Sequence, residues 1–298
     1  MATTFNQSTT YAGKVAGGYI RQAFLANDSL QHVTVRENVE YKEVVRKLVD
    51  DVTFEAPTCN FTDSGTVTTS ERILTLQQFQ VQRSVCKREF LDDWSPKPVQ
   101  DGDMNVDFNE ALIQNMLAGI SARNEVVLWQ GVSSTTEYNG YATLFETVGS
   151  GVNMVSTPVA ITKANVNSKI EALIDACPLK VRRATERPKI YVASNVAEMY
   201  RRAQADAGNG YFFQSGQAIN MTWIGTYEIV ECPGMPDNMM TMAQKSNLWF
   251  GTNTISQWNE VFTLDMKKLD GSNNVRYGAT FFAGAQFGFG NEISAYIV

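Results

Sequence analysis

The 298-residue sequence is 44% hydrophobic and only 19% charged, so it can bury a substantial core without metals or disulfides. Its net charge of −6 and pI near 5.0 argue against dedicated nucleic-acid binding, because phosphate contacts need clustered lysine and arginine. No C-x-x-C pair occurs among the four cysteines, which argues against a zinc ribbon and a thioredoxin-like redox site; these are Cys59, Cys86, Cys177 and Cys232.

The N-terminal region predicts an arm followed by a helix. Residues 1–38 are rich in Thr, Gln, Asn, Gly and Ala, so we expect an arm with little core of its own, ordered by neighbours. It begins with neither the basic nor the apolar region of a signal peptide, and no window could span a bilayer, so we expect cytoplasmic synthesis with reduced cysteines. Residues 39–53 predict a short amphipathic helix with one apolar face, formed by Val44, Val45, Leu48 and Val49.

Residues 54–87 predict an extended loop built as a β-hairpin. The turn signal Asp63-Ser64-Gly65 separates two stretches of extended propensity. Neither face of the second stretch, residues 73–85, is strongly apolar. We therefore expect the hairpin to project from the body of the protein.

A long helix is predicted over residues 107–130. Asp107 stands three residues before Glu110, which is the capping-box spacing, and Gly131 marks the end. At 1.5 Å per residue this helix is about 36 Å long. Its apolar stripe comprises Phe108, Leu112, Ile113, Met116, Leu117, Ile120, Val127 and Leu128. The polar positions predicted to lie mostly away from that stripe are Glu110, Gln114, Arg123 and Asn124.

The second half of the chain predicts an α/β subdomain followed by a β-rich region. Helices are expected over residues 163–176 and 195–207, with strands over 188–193 and 227–231. Further strands are expected at 247–251, 260–267 and 275–298. The glycine-rich run 284–290 lacks the lysine of a phosphate loop and predicts a tightly packed strand.

No residue pattern points to catalysis, a cofactor or a metal. His32 is the sole histidine and lies in the predicted arm, which argues against triads and two-histidine metal sites. The pairs Asp50-Asp51 and Asp92-Asp93 are adjacent in sequence, so their side chains point in different directions and predict solvated positions. The sequence therefore predicts no catalytic, cofactor-binding or metal-binding residue, and no enzyme.

Two other sets of side chains have competing interpretations. The strongest basic cluster could contact phosphates, or form salt bridges with a neighbouring subunit, which is favoured by the acidic total; it comprises Lys180, Arg182, Arg183, Arg187 and Lys189. The tryptophans are too scattered to stack on nucleobases and predict core or interface anchors; they are Trp94, Trp129, Trp223, Trp249 and Trp258.

In this order the elements resemble the Hong Kong 97-like major capsid protein fold of tailed bacteriophages, which encapsulin shells share. The predicted helix 107–130 resembles the spine helix of that fold, and the sequence Leu128-Trp129-Gln130-Gly131 resembles its end. Cys232-Pro233-Gly234-Met235-Pro236 resembles the return from the axial to the peripheral domain.

The resemblance implies an α+β fold of defined organisation. It consists of an N-terminal arm (1–38), a short helix (39–53), an extended hairpin loop (54–87), a peripheral domain (88–161), an axial α/β domain (162–236) and a return to the peripheral sheet (237–298). Some relatives join subunits through a lysine–asparagine isopeptide bond, but no motif identifies a partner for Lys87 or Lys97.

The implied function is a structural subunit of an icosahedral virion shell. Expected partners are copies of the chain in pentamers and hexamers, a portal and non-specifically packaged double-stranded DNA, with no membrane. Assembly is expected to use a separate scaffolding protein or none. An encapsulin-like cargo compartment uses the same fold and stays open at this point. A monomeric α/β enzyme is the distant third interpretation.

Overall fold

The structure, a computed structural model, describes residues 9–12, 19–20, 24, 27–52, 54, 56, 59, 65–86, 106–206, 223–253 and 259–298. The strands are β1 (Thr9–Ala12), β2 (Thr34–Arg36), β3 (Lys42–Val52), β4 (Gly65–Thr75), β5 (Gln77–Cys86), β6 (Asn153–Met154), β7 (Lys189–Ala193), β8 (Trp223–Ile224), β9 (Tyr227–Cys232), β10 (Met240–Ala243), β11 (Leu248–Thr252), β12 (Glu260–Asp265), β13 (Asn274–Phe287) and β14 (Ser294–Tyr296). The helices are α1 (Val106–Gln130), α2 (Tyr141–Glu146), α3 (Val166–Ala176), α4 (Leu179–Arg182) and α5 (Ser194–Asp206).

The first sheet is organised around the long strand β13. Strand β5 pairs antiparallel with one edge of β13, from Asn274 opposite Cys86 to Ala283 opposite Gln77. On its other side β13 pairs with β12 over residues 275–280 and with β11 over residues 283–287. Strands β1 and β2 extend the sheet beyond β12 and β11. No strand in the described residues pairs with the outer edge of β5, which is therefore an edge strand.

The second sheet has the order β6-β14-β10-β7-β9-β8, with β7 and β9 parallel. Helices α3 and α5 pack against each other and against this sheet, which gives the predicted α/β arrangement. The prediction that residues 237–298 return to the peripheral sheet is wrong for β10 and β14. These two strands pair with each other, and β10 also pairs with β7 of the α/β region. Their side chains are fully buried, so they fit a strand position covered on both faces.

Helix α1 spans Val106–Gln130 and confirms the predicted long helix. Its end is fixed by close backbone packing, because Gly131 donates to the carbonyl oxygen of Val127 at 2.9 Å and Gly140 donates to that of Gly131 at 2.8 Å. The prediction for Asn124 is wrong, since this side chain is buried with the apolar stripe. Asn124 lies four residues after Ile120 and so shares its helix face.

The helix predicted over residues 39–53 is a strand in the structure. Strand β3 pairs antiparallel with β4 along its whole length, from Lys42 opposite Thr75 to Val52 opposite Gly65. Its valines are β-branched, which favours a strand, and its apolar spacing fits either structure when both faces of a ribbon carry apolar residues.

The hairpin consequently lies earlier in the chain than residues 54–87. Strands β3 and β4 form it, whereas β5 belongs to the first sheet. Leu76 separates β4 from β5, is buried, and donates its N–H to the carbonyl oxygen of Tyr41 at 3.0 Å. The strand predicted over residues 73–85 is therefore divided at Leu76 between β4 and β5.

The segment predicted as an arm contributes to the core of its own chain. Ile20, Phe24, Leu30 and Val33 are each at most 3% exposed and join the main hydrophobic cluster. The prediction that residues 1–38 have little core is therefore wrong for these side chains.

Candidate assembly surfaces

The hairpin of β3 and β4 has one face with exposed apolar side chains. In the antiparallel register Val44 lies opposite Ile73, Leu48 opposite Thr69 and Asp50 opposite Val67. Successive side chains of a strand alternate between faces, so Val44, Leu48, Val67 and Ile73 share one face of the ribbon. They are 44–67% exposed. We call these four residues the hairpin face.

The base of the hairpin is fixed to the body of the protein. Arg72 donates to the carbonyl oxygen of Ser150 at 2.9 Å, and its guanidinium lies 4.7 Å from the ring centre of Phe287. The Gln286 amide donates to the carbonyl oxygen of Ile73 at 3.1 Å. Cation–π and hydrogen-bond contacts at the base define the direction in which the hairpin projects.

A groove of about 710 Å³ runs between helix α1 and the edge strand β5. Its lining includes apolar side chains of both elements, such as Ile120 and Phe79. The buried Asn124 accepts a hydrogen bond from the Tyr138 hydroxyl at 2.7 Å, while its Nδ2 has no partner among the described residues. The groove thus combines apolar side chains, the unpaired edge of β5 and the unpaired Nδ2 donor of Asn124. These features are typical of sites that bind an extended polypeptide segment.

Glu125 is a buried carboxylate on α1 that joins three parts of the chain. The Ser29 hydroxyl and N–H both donate to it, and the Gly234 N–H donates at 3.4 Å. Trp129 in turn donates its indole N–H to the Ser29 oxygen at 2.9 Å. Burial raises the pKa of the Glu125 carboxyl despite these donors. The sequence patterns did not indicate a role for Glu125, although its position four residues before Trp129 places it on a buried face of the helix.

His32 lies three residues after Ser29, in the same short N-terminal segment that contacts Glu125. Its ring Nδ1 is 3.3 Å from the Lys189 ammonium, and its carbonyl oxygen accepts from the Tyr191 hydroxyl at 2.6 Å. Burial, and then the charge of Lys189, lower the pKa of His32. Lys189 also pairs with Glu228 at 2.8 Å. His32 is thus held in the folded chain, not in a projecting arm.

The predicted basic cluster is divided by the fold. Lys189 pairs with Glu228, and Arg182 lies 3.7 Å from Asp175, so these two cations have partners within the chain. Lys180, Arg183 and Arg187 are exposed. The interpretation of the cluster as a contact with a neighbouring subunit therefore applies to these three residues only.

The remaining sequence candidates are not brought together into a site. Asp92, Asp93, Lys87 and Lys97 lie outside the described residues, as do the side chains of Asp50 and Asp51. The cysteines are free thiols. Within the described ranges no cluster of metal-ligating side chains occurs, and no helix there is long and apolar enough to cross a membrane.

Comparison with known proteins gives the fold through structure and not through sequence. No family model matches the chain, and no curated protein does. The capsid of a native GTA particle matches with a TM-score of 0.63 and 12% identity, covering 99% of this chain and 94% of that one. A chain of the satellite phage P4 procapsid, a structure that includes the size determination protein, matches at 0.60 and 13%, covering 94% and 98%.

A chain of Mycobacterium phage Che8 also matches, with a TM-score of 0.53 and 11% identity, covering 99% of this chain and 93% of that one. These matches run over almost the full length of every chain compared. The chain therefore has the tailed-phage major capsid protein fold, and the predicted α+β fold class is confirmed.

Proposed function

We propose that this chain is the structural subunit of an icosahedral capsid shell that encloses double-stranded DNA. The observation that carries the proposal is the whole-chain likeness to phage capsid structures, which leaves almost no part of this chain unmatched. A fold alone does not define a function. The exposed hairpin face adds a physical reason, because apolar side chains on a projecting ribbon are stabilised when another protein covers them.

In this proposal assembly is mechanical. The hairpin overlaps a neighbouring subunit, while the α/β domains around the second sheet close rings of five and six. Each contact is modest, and many act together to hold the shell. A portal, a separate scaffolding protein and the packaged DNA are the further partners, with the virion as the location of the mature protein. The acidic total favours DNA that is enclosed without tight binding.

Electron microscopy of the expressed protein tests the proposal directly. A shell subunit forms rings or closed particles, and particles isolated from an infection contain DNA. A monomeric species under all conditions would contradict the proposal. Particles that contain a packaged enzyme in place of DNA would indicate the encapsulin-like alternative.

The Leu48→Asp variant is expected to prevent assembly without unfolding the subunit. Leu48 is 67% exposed, so the single chain loses little when it becomes charged. Burying a leucine at an interface contributes about 1.5–3 kcal/mol, and a desolvated, unpaired carboxylate adds a further cost at every copy of the contact. We expect particle yield to fall below detection in sedimentation and microscopy.

Ser70→Asp provides the matched control for this variant. Ser70 lies opposite Lys47 on the other face of the same ribbon, is exposed, and acquires the same charge. Its particles are expected to form as in the wild type. Normal shells from Leu48→Asp would show that the hairpin face is not an assembly contact.

A further inference from the structure

Helix α1 contains a glycine that no contact within the described chain requires. Gly119 lies inside the helix, and a Cβ atom there would meet no atom within 4 Å. Glycine destabilises a helix interior relative to alanine, and it is used where another backbone approaches closely. Gly119 lines the groove between α1 and β5. Its missing side chain therefore leaves room for the backbone of an occupant of that groove.

Strand β5 offers such an occupant a row of unpaired backbone groups. One edge of β5 pairs with β13, and no strand of the described residues pairs with the other edge. The part of β5 that lines the groove extends from Gln78 to Arg83, which is about 17 Å of strand. A peptide that adds a strand to an exposed edge gains affinity from main-chain hydrogen bonds. The groove thus suits an extended segment.

A buried side chain of α1 supplies a hydrogen-bond donor to the same space. Asn124 lines the groove and is only 5% exposed. Its Oδ1 accepts from the Tyr138 hydroxyl, whereas its Nδ2 has no partner among the described residues. A buried donor without a partner costs free energy, which an acceptor on the occupant would recover.

The side chains of β5 define the chemistry of the occupant. Phe79, Val81 and Arg83 alternate along the strand and so share one face. This face points towards the core, because the Phe79 ring centre lies 6.0 Å from those of both Tyr138 and Phe281. Arg83 is exposed and forms no salt bridge with a described residue. None of the described residues that line the groove is Asp or Glu.

We propose that the groove binds an extended segment of a separate protein, which adds to β5 as a further strand. Cross-strand neighbours share a face, so the residues of the segment next to Phe79 and Val81 are apolar, and the residue next to Arg83 is Asp or Glu. The partner is therefore recognised by alternating positions that carry two apolar side chains and one carboxylate. The proposal goes beyond the shell function and does not depend on it, because the groove is complete within one chain.

The exposed hairpin of a second copy is the competing occupant, and its charges argue against it. Its Glu43 carboxylate already pairs with Arg36 at 3.1 Å within the chain. Its Glu71 carboxylate pairs in the same way with Arg46 at 3.4 Å. One of these ion pairs would have to break before its carboxylate could meet Arg83. A segment with an unpaired carboxylate has no such cost.

Fluorescence anisotropy with the full chain and a labelled peptide tests the proposal. The probe is the blocked heptapeptide Glu-Thr-Val-Thr-Val-Thr-Glu, which has its apolar and acidic residues on one face and the same pattern in both directions. We expect it to bind at least about tenfold more tightly than the matched peptide Lys-Thr-Val-Thr-Val-Thr-Lys, because one charge contact becomes repulsive. N-methylation of its amides should abolish binding, since it blocks main-chain pairing.

Three variants of the chain identify the binding site. Gly119→Ala is expected to remain folded and to weaken binding of the glutamate peptide about tenfold, because a Cβ atom takes the space of the incoming backbone. Arg83→Gln should remove the preference for the glutamate peptide over the lysine peptide. Arg202→Gln removes an exposed arginine of α5 outside the groove and should leave both affinities unchanged. Thermal unfolding of each variant shows that it is folded.

Several results would overturn the proposal. These are no binding of the glutamate peptide at about 1 mM, equal affinities of the two peptides for the wild type, and unchanged binding by folded Gly119→Ala. A preference for the glutamate peptide that persists in Arg83→Gln would have the same meaning. Binding by free subunits that is absent from assembled particles would indicate that a second copy fills the groove. Failure of particles to form would count against the shell function alone, since peptide binding is measured on single subunits.

Discussion

The Gly234→Ala variant is expected not to reach the native fold. A Cβ atom at this position would overlap the carbonyl oxygen of Glu125 and lie 2.9 Å from the amide nitrogen of Val126. Both atoms belong to the backbone of α1, which cannot yield without breaking helical hydrogen bonds. We expect a loss above about 4 kcal/mol, which is exceptional for one methyl group. Soluble yield and cooperative thermal unfolding measure it.

Gly119→Ala is the matched control for this substitution. A Cβ at Gly119 meets no atom within 4 Å, and the residue lies inside the same helix. Alanine there should stabilise the protein by about 0.5–1 kcal/mol, because glycine loses more conformational freedom in a helix. An unfolding temperature of Gly234→Ala equal to that of the wild type would contradict the close packing described for residues 232–236 on α1.

The Trp129→Ala variant is expected to lower the free energy of unfolding by about 3–5 kcal/mol. Trp129 is fully buried, with ring centres 5.2 Å from Tyr141 in an edge-on arrangement and 5.9 Å from Tyr191. Its removal creates a cavity between α1, α2 and strand β7 of the second sheet. It also removes the indole donor to Ser29. Chemical denaturation gives the free-energy difference.

Trp223→Ala tests whether this loss depends on burial and not on residue type. Trp223 is 55% exposed at the edge of the second sheet, so we expect its replacement to cost less than about 1 kcal/mol. Equal losses from the two variants would contradict the central position assigned to Trp129.

Helix α1 illustrates what sequence alone could establish. Its apolar stripe repeats over many turns and Gly131 marks the end, so the predicted bounds differ from Val106–Gln130 by a single residue. In a long periodic segment each helical turn repeats the same apolar pattern, so the segment alone is enough to predict the helix. The strands of the α/β region were predictable for a related reason, because short apolar runs lie between glycines, prolines and amphipathic helices.

Strand β3 shows where the same reasoning fails. The spacing of Val44, Val45, Leu48 and Val49 fits one face of a helix, yet in the ribbon of β3 and β4 these residues divide between the two faces. A short segment carries too few repeats to separate the two periods. What decided the structure was pairing with β4, and that information lies outside the segment.

Glu125 shows a second limit, because its environment is built by distant residues. Ser29 and Gly234 are brought to it by the fold, and neither carries a motif that indicates contact with a helix. Helical spacing could have predicted that Glu125 is buried. It could not have predicted the donors that make burial tolerable, since these come from two separate turns of the chain.

The central position of β13 has a consequence for the order of events during synthesis. Strand β5 leaves the ribosome long before residues 274–287, so it waits roughly 10 to 40 s for its described partner at typical elongation rates. Gln286 and Phe287, which fix the base of the hairpin, are among the last residues to be synthesised. Pairing between such distant residues is slow. A nascent chain therefore cannot orient its hairpin until nearly the whole chain has been synthesised.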